Sequence, residues 1–301
     1  MTGYLHEQYA LALSEFGRPR RLPRCGGWIL EREIPGSSLH DAMGCYPLFC
    51  CERWTRLQED MHDLEAEGRL ASVVLVSDAF GSYTEADLRQ CFDFVAPFKR
   101  HVVVDLESAD TGISRHHRYY GRKALRSISI EHCVDPAERL DEWSSLYGVL
   151  ARRHGLRGLK AFSRRSFERQ LSVPGLVMFR ALEGGTAVGA HLWYVQGDVA
   201  YSHLEASTER GYELMASYGL YAHAMSWFAG KVRWLDLGAG AGASDDDDDT
   251  LGRFKRGWSR ERRLAYLCGR TLNPQEYARL VAGRAETDSS YFPAYRAGEL
   301  V

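Results

Sequence analysis

The chain has no run approaching the ~18 consecutive apolar residues that a membrane-spanning helix requires. Its apolar stretches are broken by charges within a few positions, so membrane insertion is not expected. Nor does one sign of charge dominate: 38 Lys and Arg stand against 40 Asp and Glu, and a net charge of -2 with a pI near 6.6 excludes a globally basic nucleic-acid binder. A local basic patch that holds an RNA end or a phosphate stays open. The opening MTGYLHEQYALALSEFG carries acids and a histidine where an export signal needs a basic start and an unbroken apolar run, so a soluble, cytoplasmic protein is expected.

A disulfide framework is missing too. Cys25, Cys45, Cys50, Cys51, Cys91, Cys133 and Cys268 are odd in number and scattered, which suits a reducing compartment. Cys45, Cys50 and Cys51 lack C-x-x-C spacing and a second paired set, so no zinc site is expected. No metal or tightly bound cofactor is expected anywhere.

What is present is enough apolar material, 45% of 301 residues, for two domains of ordinary size. In the first half, strand-like runs at 27–34, 71–78, 101–107 and 127–133 alternate with helical patterns. Arg53 to Glu67 has helical apolar spacing, and Thr84 followed by Glu85 and Asp87 marks a capped helix start. This gives an α/β layer over residues 1–135. Asp135-Pro136 opens a helix that Gly155 stops, and a second helix covers Ser163 to Leu171. Three strands follow, 176–183, 187–196 and 199–205, joined by Gly-containing turns short enough to force an antiparallel meander. A long helix from Tyr212 to Ala229, strands at 232–237 and 263–268, and a glycine-rich loop between those strands complete a second domain over 136–301.

LDLGAGAG at 235–242 imitates a methyltransferase cofactor loop, but aspartates follow it and only about sixty residues remain, too few for a doubly wound sheet. The glycines are expected to serve a tight turn. The run Asp245 to Asp249 is read as a solvated loop, because a calcium loop needs alternating ligands and a distal Glu.

The series AYSHLEASTERGYELMASYGLYAHAMSW (200–227), VRWLDLGAGAG (232–242) and LGRFKRGWS (251–259) resembles the acetyltransferase-type domain of the Fem-related proteins, which include enzymes that build peptidoglycan cross-bridges from aminoacyl-tRNA. The resemblance spans about 140–270. It implies an α/β protein of tandem GNAT-like domains, with mixed sheets and an antiparallel meander flanked by helices: a degenerate domain at 1–135 and an acyltransferase domain at 136–301. It also implies transfer of an aminoacyl or acyl group from an activated donor to an amine. In the family the phenylalanine-lysine pair before the motif glycine lies at the donor's acceptor end or near the reacting carbonyl. Carried over, these are Phe254 and Lys255, with Arg256 beside them.

An ammonium at Lys255 fits that chemistry, since amine attack on an ester builds negative charge on the carbonyl oxygen. Lys255 and Arg256 equally fit a solvated helix end facing the upstream aspartates. On the third meander strand, Tyr201, His203 and Glu205 alternate and are expected on one face, as base, proton carrier or clamp, although His203 equally fits a satisfied core histidine. Asp236 either orients the amine or binds the turn after it, and Tyr212 and Tyr218 either reach substrate or pack in the core.

Acyl-CoA-dependent members of the wider superfamily hold pyrophosphate in a loop with closely spaced glycines. Here that loop, EASTERGYELMA, has Gly211 alone. Aminoacyl-tRNA is therefore the leading donor, with an acyl-CoA-dependent N-acyltransferase and a non-catalytic binding module as alternatives. The acceptor is expected to be an amine-bearing small molecule, a peptide or a cell-wall precursor. Basic clusters at Arg18 to Arg24, Arg152 to Arg157, Arg164-Arg165 and Arg260 to Arg263 form either a phosphate track or scattered surface charge. The aromatic tail Ser290 to Arg296 is expected to dock on the fold, because aromatics left in water are costly.

Overall fold

The computed structural model describes residues 1–110, 112–241, 249–282 and 291–297. The chain runs α1 (Glu7–Ala12), β1 (Arg18–Arg21), β2 (Trp28–Glu33), β3 (His40–Gly44), α2 (Leu57–Glu67), β4 (Leu70–Val76), α3 (Glu85–Cys91) and β5 (Phe94–Asp105). Then come α4 (Arg115–Ala124), β6 (Ser129–Cys133), α5 (Leu140–His154), α6 (Arg164–Gln170), β7 (Leu176–Glu183), β8 (Thr186–Gln196), β9 (Val199–Ser207), α7 (Glu209–Glu213) and α8 (Ala216–Phe228). The last are β10 (Trp234–Asp236), α9 (Thr250–Arg256), β11 (Glu261–Thr271) and α10 (Pro274–Ala282). None of the described helices is long and apolar enough to cross a membrane.

Contacts group the described residues into two compact units. The first unit holds Met1–Gln8, Arg100–Ala241 and 249–263; the second unit holds Tyr9–Lys99 and the described residues from Leu264 on. This partition differs from the 1–135 and 136–301 read from the sequence. Strand pairing explains the difference: β6 pairs antiparallel with β7, and the end of β5 pairs with β10, so the segment from 100 to 135 completes the sheet around the meander.

In the first unit, β6, β7, β8 and β9 are successive antiparallel neighbours, and β10 lies parallel to β9 because the chain crosses over through α8. Glycines take the left-handed positions that the two hairpins need, Gly184 and Gly185 at φ 55° and 87° and Gly197 at φ 59°. Helices α4 and α8 cover one face over a core that includes Val104, Phe179, Trp193, Leu220, Phe228, Leu235 and Trp258. On the other face, α5 ends at Gly155, whose φ of 59° stops it, and Tyr194 Oη donates to the carbonyl of Gln170 at the end of α6 over 2.9 Å.

The long helix expected from Tyr212 to Ala229 is two helices. Met215, at φ 59°, holds a left-handed conformation that a side chain rarely adopts and breaks it between α7 and α8.

In the second unit, β1, β2 and β3 are antiparallel neighbours, β4 joins β3 in parallel, and β11 pairs antiparallel with β4. Arg18 to Arg21, the start of the first basic cluster, is strand β1, and Arg18 and Arg20 both bond Glu31. A capping box at Thr84 and Asp87 starts α3. All seven cysteines of the chain are buried and unbridged. Residues 291–297 dock on this unit as expected: Tyr295 is buried, with its hydroxyl 2.7 Å from Ser72 Oγ and 3.1 Å from Asp41 Oδ2, and Arg296 Nη2 donates to Asp41 over 3.0 Å. Ser290 of that tail lies outside the described residues.

Candidate active site

The pairing of β8 with β9 is not regular. Trp193 lies opposite Ser202 and Leu192 opposite Leu204, which leaves His203 as an extra residue on β9. Such a bulge inverts the alternation of side chains beyond it. Tyr201 and His203 therefore face one way, against the ring of Tyr4, while Glu205 faces α8 and accepts a hydrogen bond from Ser217 Oγ. The expectation that all three share a face is corrected by that one residue.

His203 is a satisfied core histidine. Its Nε2 sits 2.9 Å from Gln170 Oε1, which can only accept, so Nε2 carries the proton and Nδ1 takes the hydroxyl proton of Tyr4 at 3.1 Å. Burial pushes its pKa down to about 3, so it is neutral at pH 7.

Glu205 has the opposite character. Burial raises its carboxyl to about 7, against the Ser217 hydroxyl and the positive field of Lys255, which both favour ionisation. Across the pair from Glu205 stands His191, fully buried, with Nε2 2.8 Å from Ser202 Oγ. Burial, then the charge of Lys255, holds His191 well below the ordinary histidine range. Ser202 Oγ lies 3.3 Å from the hydroxyl of Tyr221. Ser217 and Tyr221 are four apart on α8, so one face of that helix meets Glu205 and Ser202.

The glycine loop and α9 set Lys255. Asp236, at the end of β10, accepts from Gly238 N over 2.7 Å and binds His101 Nδ1 at 2.8 Å, so it holds the turn after it and is itself held by a buried histidine. Asp249, the one residue of the aspartate run among those described, caps α9: its Oδ2 accepts from Gly252 N at 2.7 Å and Ala241 N at 2.8 Å. Burial alone would raise its carboxyl, but those amides and that of Leu251 hold it below the usual range. The loop is thereby tied to the helix, and Lys255 Nζ donates to Ala239 O over 2.7 Å. Asp245 to Asp248 lie outside the described residues.

A cleft of about 280 Å³ opens beside α9, lined by Ser114, His116, His117, Tyr218, Thr250, Arg253 and Phe254. His117 Nε2 donates to Phe254 O over 2.8 Å, and its Nδ1 faces Ser114 Oγ at 2.9 Å. Burial lowers its pKa, so this neutral tautomer is the resting one. The rings of Tyr218 and Phe254 meet edge to face at 5.0 Å. Of the nine candidates, Phe254 and Tyr218 line the cleft. Lys255 and Glu205 sit within electrostatic reach of each other, and Asp236 supports the loop below Lys255. Arg256 is partly buried along α9, and Tyr212 on α7 stacks under the guanidinium of Arg153 at 4.1 Å. His101, His117 and Ser217 were not foreseen; only the i, i+4 spacing of Ser217 and Tyr221 carried a signal.

Residues 112–256 match the family model described as an acetyltransferase (GNAT) domain. That segment is a GNAT acyltransferase domain. The matched segment of this acyltransferase begins just before α4, ends with α9 and contains all nine candidate residues. Its fold resembles that of FemX, at a TM-score of 0.62 and 12% identity over 90% of this chain and 92% of the other. It also resembles the C-terminal domain of a putative lysylphosphatidylglycerol synthetase from Agrobacterium fabrum, at a TM-score of 0.65 and 12% identity over 91% and 90% of the chains. L-PGS from Bacillus licheniformis gives a TM-score of 0.58 at 13% identity over 90% and 94%. At such identities the likeness is one of fold. No curated protein sequence matches the acyltransferase.

Proposed function

We propose that this acyltransferase moves an aminoacyl or acyl group from aminoacyl-tRNA to an amine. The observation that carries the reading is the pair formed by Glu205, with its pKa raised to about 7, and Lys255, whose ammonium is fixed on Ala239 O. A base titrating near the working pH takes the proton of the attacking amine most effectively. As the new C–N bond forms, the carbonyl oxygen gains negative charge, and the ammonium of Lys255 steadies it. The ester C–O bond then breaks, and the proton passes from Glu205 to the departing ribose oxygen. Phe254 and Tyr218, on the cleft wall, offer faces on which the terminal base of the donor stacks. Asp236, held by His101, acts through the loop rather than on substrate.

The loop before α8 supports RNA over CoA as donor. A Cβ on Gly211 would lie 2.1 Å from the carbonyl oxygen of Val188, and Gly211 N donates to Thr208 Oγ1 over 3.0 Å. The one glycine of that loop is thus committed to packing. A second reading, with acyl-CoA as donor, draws on α8 itself, whose N-terminus has no side-chain cap and is of the kind that binds pyrophosphate. The acceptor in either case is an amine-bearing small molecule, a peptide or a cell-wall precursor. The buried, unbridged thiols support a cytoplasmic location, and we read the second unit as the degenerate partner of a tandem pair. The test is transfer from a labelled aminoacyl-tRNA pool to a panel of amines, with Lys255→Ala as control. Product with the native protein and none with the variant upholds the proposal; product from acetyl-CoA alone replaces it with the second reading.

A further inference from the structure

Members of three of the basic clusters seen in the sequence are already paired with acids. Arg20 pairs with Glu31 and Glu67, Arg24 with Glu59 and Asp63, Arg153 with Glu209, and Arg164 with Asp141. Helix α4 and the turn after it are different. From Gly112 to Ile130 the chain has five cations, Arg115, Arg118, Arg122, Lys123 and Arg126, and no acid. All five are exposed, and among the described residues none of them pairs with a carboxylate. The guanidinium groups of Arg118 and Arg122 instead donate to the backbone carbonyls of Ile113 and Arg118. The opposite side of the helix, Gly121 and Ala124, packs on α8 at Ala222 and Gly219, which fixes the charged side outward.

An uncompensated row of cations on a rigid helix attracts a polyanion. Two further features select RNA from among polyanions. Tyr119 is 60% exposed, Tyr120 lies beside it with ring centroids 5.1 Å apart, and Lys123 Nζ stands 5.7 Å over the Tyr120 ring, an interleaving of aromatic faces with cations that suits bases and phosphates together. The same helix also carries His116 and His117 into the cleft wall, so a strand tracked along α4 ends at Phe254. An anionic membrane would attract the same cations, but the continuity of α4 with the cleft wall favours a strand that ends in the site.

We propose that the exposed face of α4, through Arg118, Arg122 and Lys123, binds the phosphate backbone of the donor RNA and leads its acceptor end into the cleft. This rests on the reading of the donor as aminoacyl-tRNA. The experiment is fluorescence anisotropy of the full chain with labelled, uncharged tRNA across a salt series, for the native protein and for the triple variant Arg118→Gln, Arg122→Gln, Lys123→Gln. Arg210→Gln, which removes a cation paired with Glu183, is the control, and circular dichroism checks the fold of each. The triple variant is expected to bind at least tenfold more weakly, and its plot of log affinity against log salt to flatten by about 2 to 3, as the loss of three phosphate contacts requires. The control is expected to match the native protein. Native binding that the triple variant keeps, with the same salt slope, overturns the assignment to α4 and leaves the donor reading standing. A native protein that binds no tRNA overturns both. Loss of sedimentation with phosphatidylglycerol vesicles in the triple variant, with RNA binding unchanged, reassigns the face to a membrane.

Discussion

His117 lies flat against the backbone of Gly257: a Cβ added at Gly257 would fall 1.8 Å from the Cε1 of that ring. The glycine of the FKRGW motif is thus required by a histidine 140 positions earlier, which in turn holds the carbonyl of Phe254. Gly257→Ala is expected to displace His117 and lower stability by about 1–3 kcal/mol, the range for overpacking a filled site. Chemical denaturation checks this, and the double variant Gly257→Ala, His117→Ala is expected to recover part of the loss.

Glu205 predicts a pH profile. Because its carboxyl rises from 4.5 to about 7 on folding, the folded chain binds that proton more tightly than the unfolded one, and this group's contribution to stability falls as pH rises from 4.5 to 7. Transfer, which needs the ionised form, rises through about pH 7. Glu205→Gln is expected to abolish that rise, lower the rate by about 10²–10⁴-fold and flatten the stability slope. Initial rates and thermal melts across pH 5–9 read both, and an unchanged profile removes Glu205 as the base.

Lys255 lowers the pKa of Glu205 and, in the proposed reaction, also meets the reacting carbonyl. Lys255→Met is expected to lower turnover by about 10²–10³-fold, as the loss of an oxyanion partner does. It is also expected to move the remaining pH profile to the alkaline side. A variant that is merely misfolded would lose activity without that displacement.

How much of this was legible in the sequence depends on range. The meander from Leu176 to Ser207 was readable because its turns are glycines at short spacing, and α5 because Pro136 and Gly155 bracket it. The break at Met215 was not, since no residue type announces a left-handed methionine. The bulge at His203 is a property of how β9 registers on β8, and strict alternation along one strand cannot show it. Phe254 was found through the family motif and Tyr218 from its place on the long helix, and the cleft brings them together. Their supports, His101 under Asp236 and His117 over Gly257, lie more than a hundred residues away, where local pattern carries nothing.

His203 supplies a contrast with Glu205. Its pKa falls to about 3 in the folded chain, against an ordinary 6.5, so the unfolded chain takes up its proton first and stability drops as pH falls below 6.5. His203→Leu is expected to leave turnover unchanged, to cost about 1–3 kcal/mol by stranding Gln170 and Tyr4, and to weaken that acid-side slope. Parallel measurement of rate and stability separates this core role from a catalytic one.

Donor identity is tested most directly by isothermal titration of the full chain with a pool of aminoacyl-tRNA and, separately, with acetyl-CoA. Salt-sensitive heat from the charged tRNA and none from acetyl-CoA is the expected result. Saturable binding of acetyl-CoA with silence from tRNA would contradict it and turn the uncapped start of α8 into the donor site.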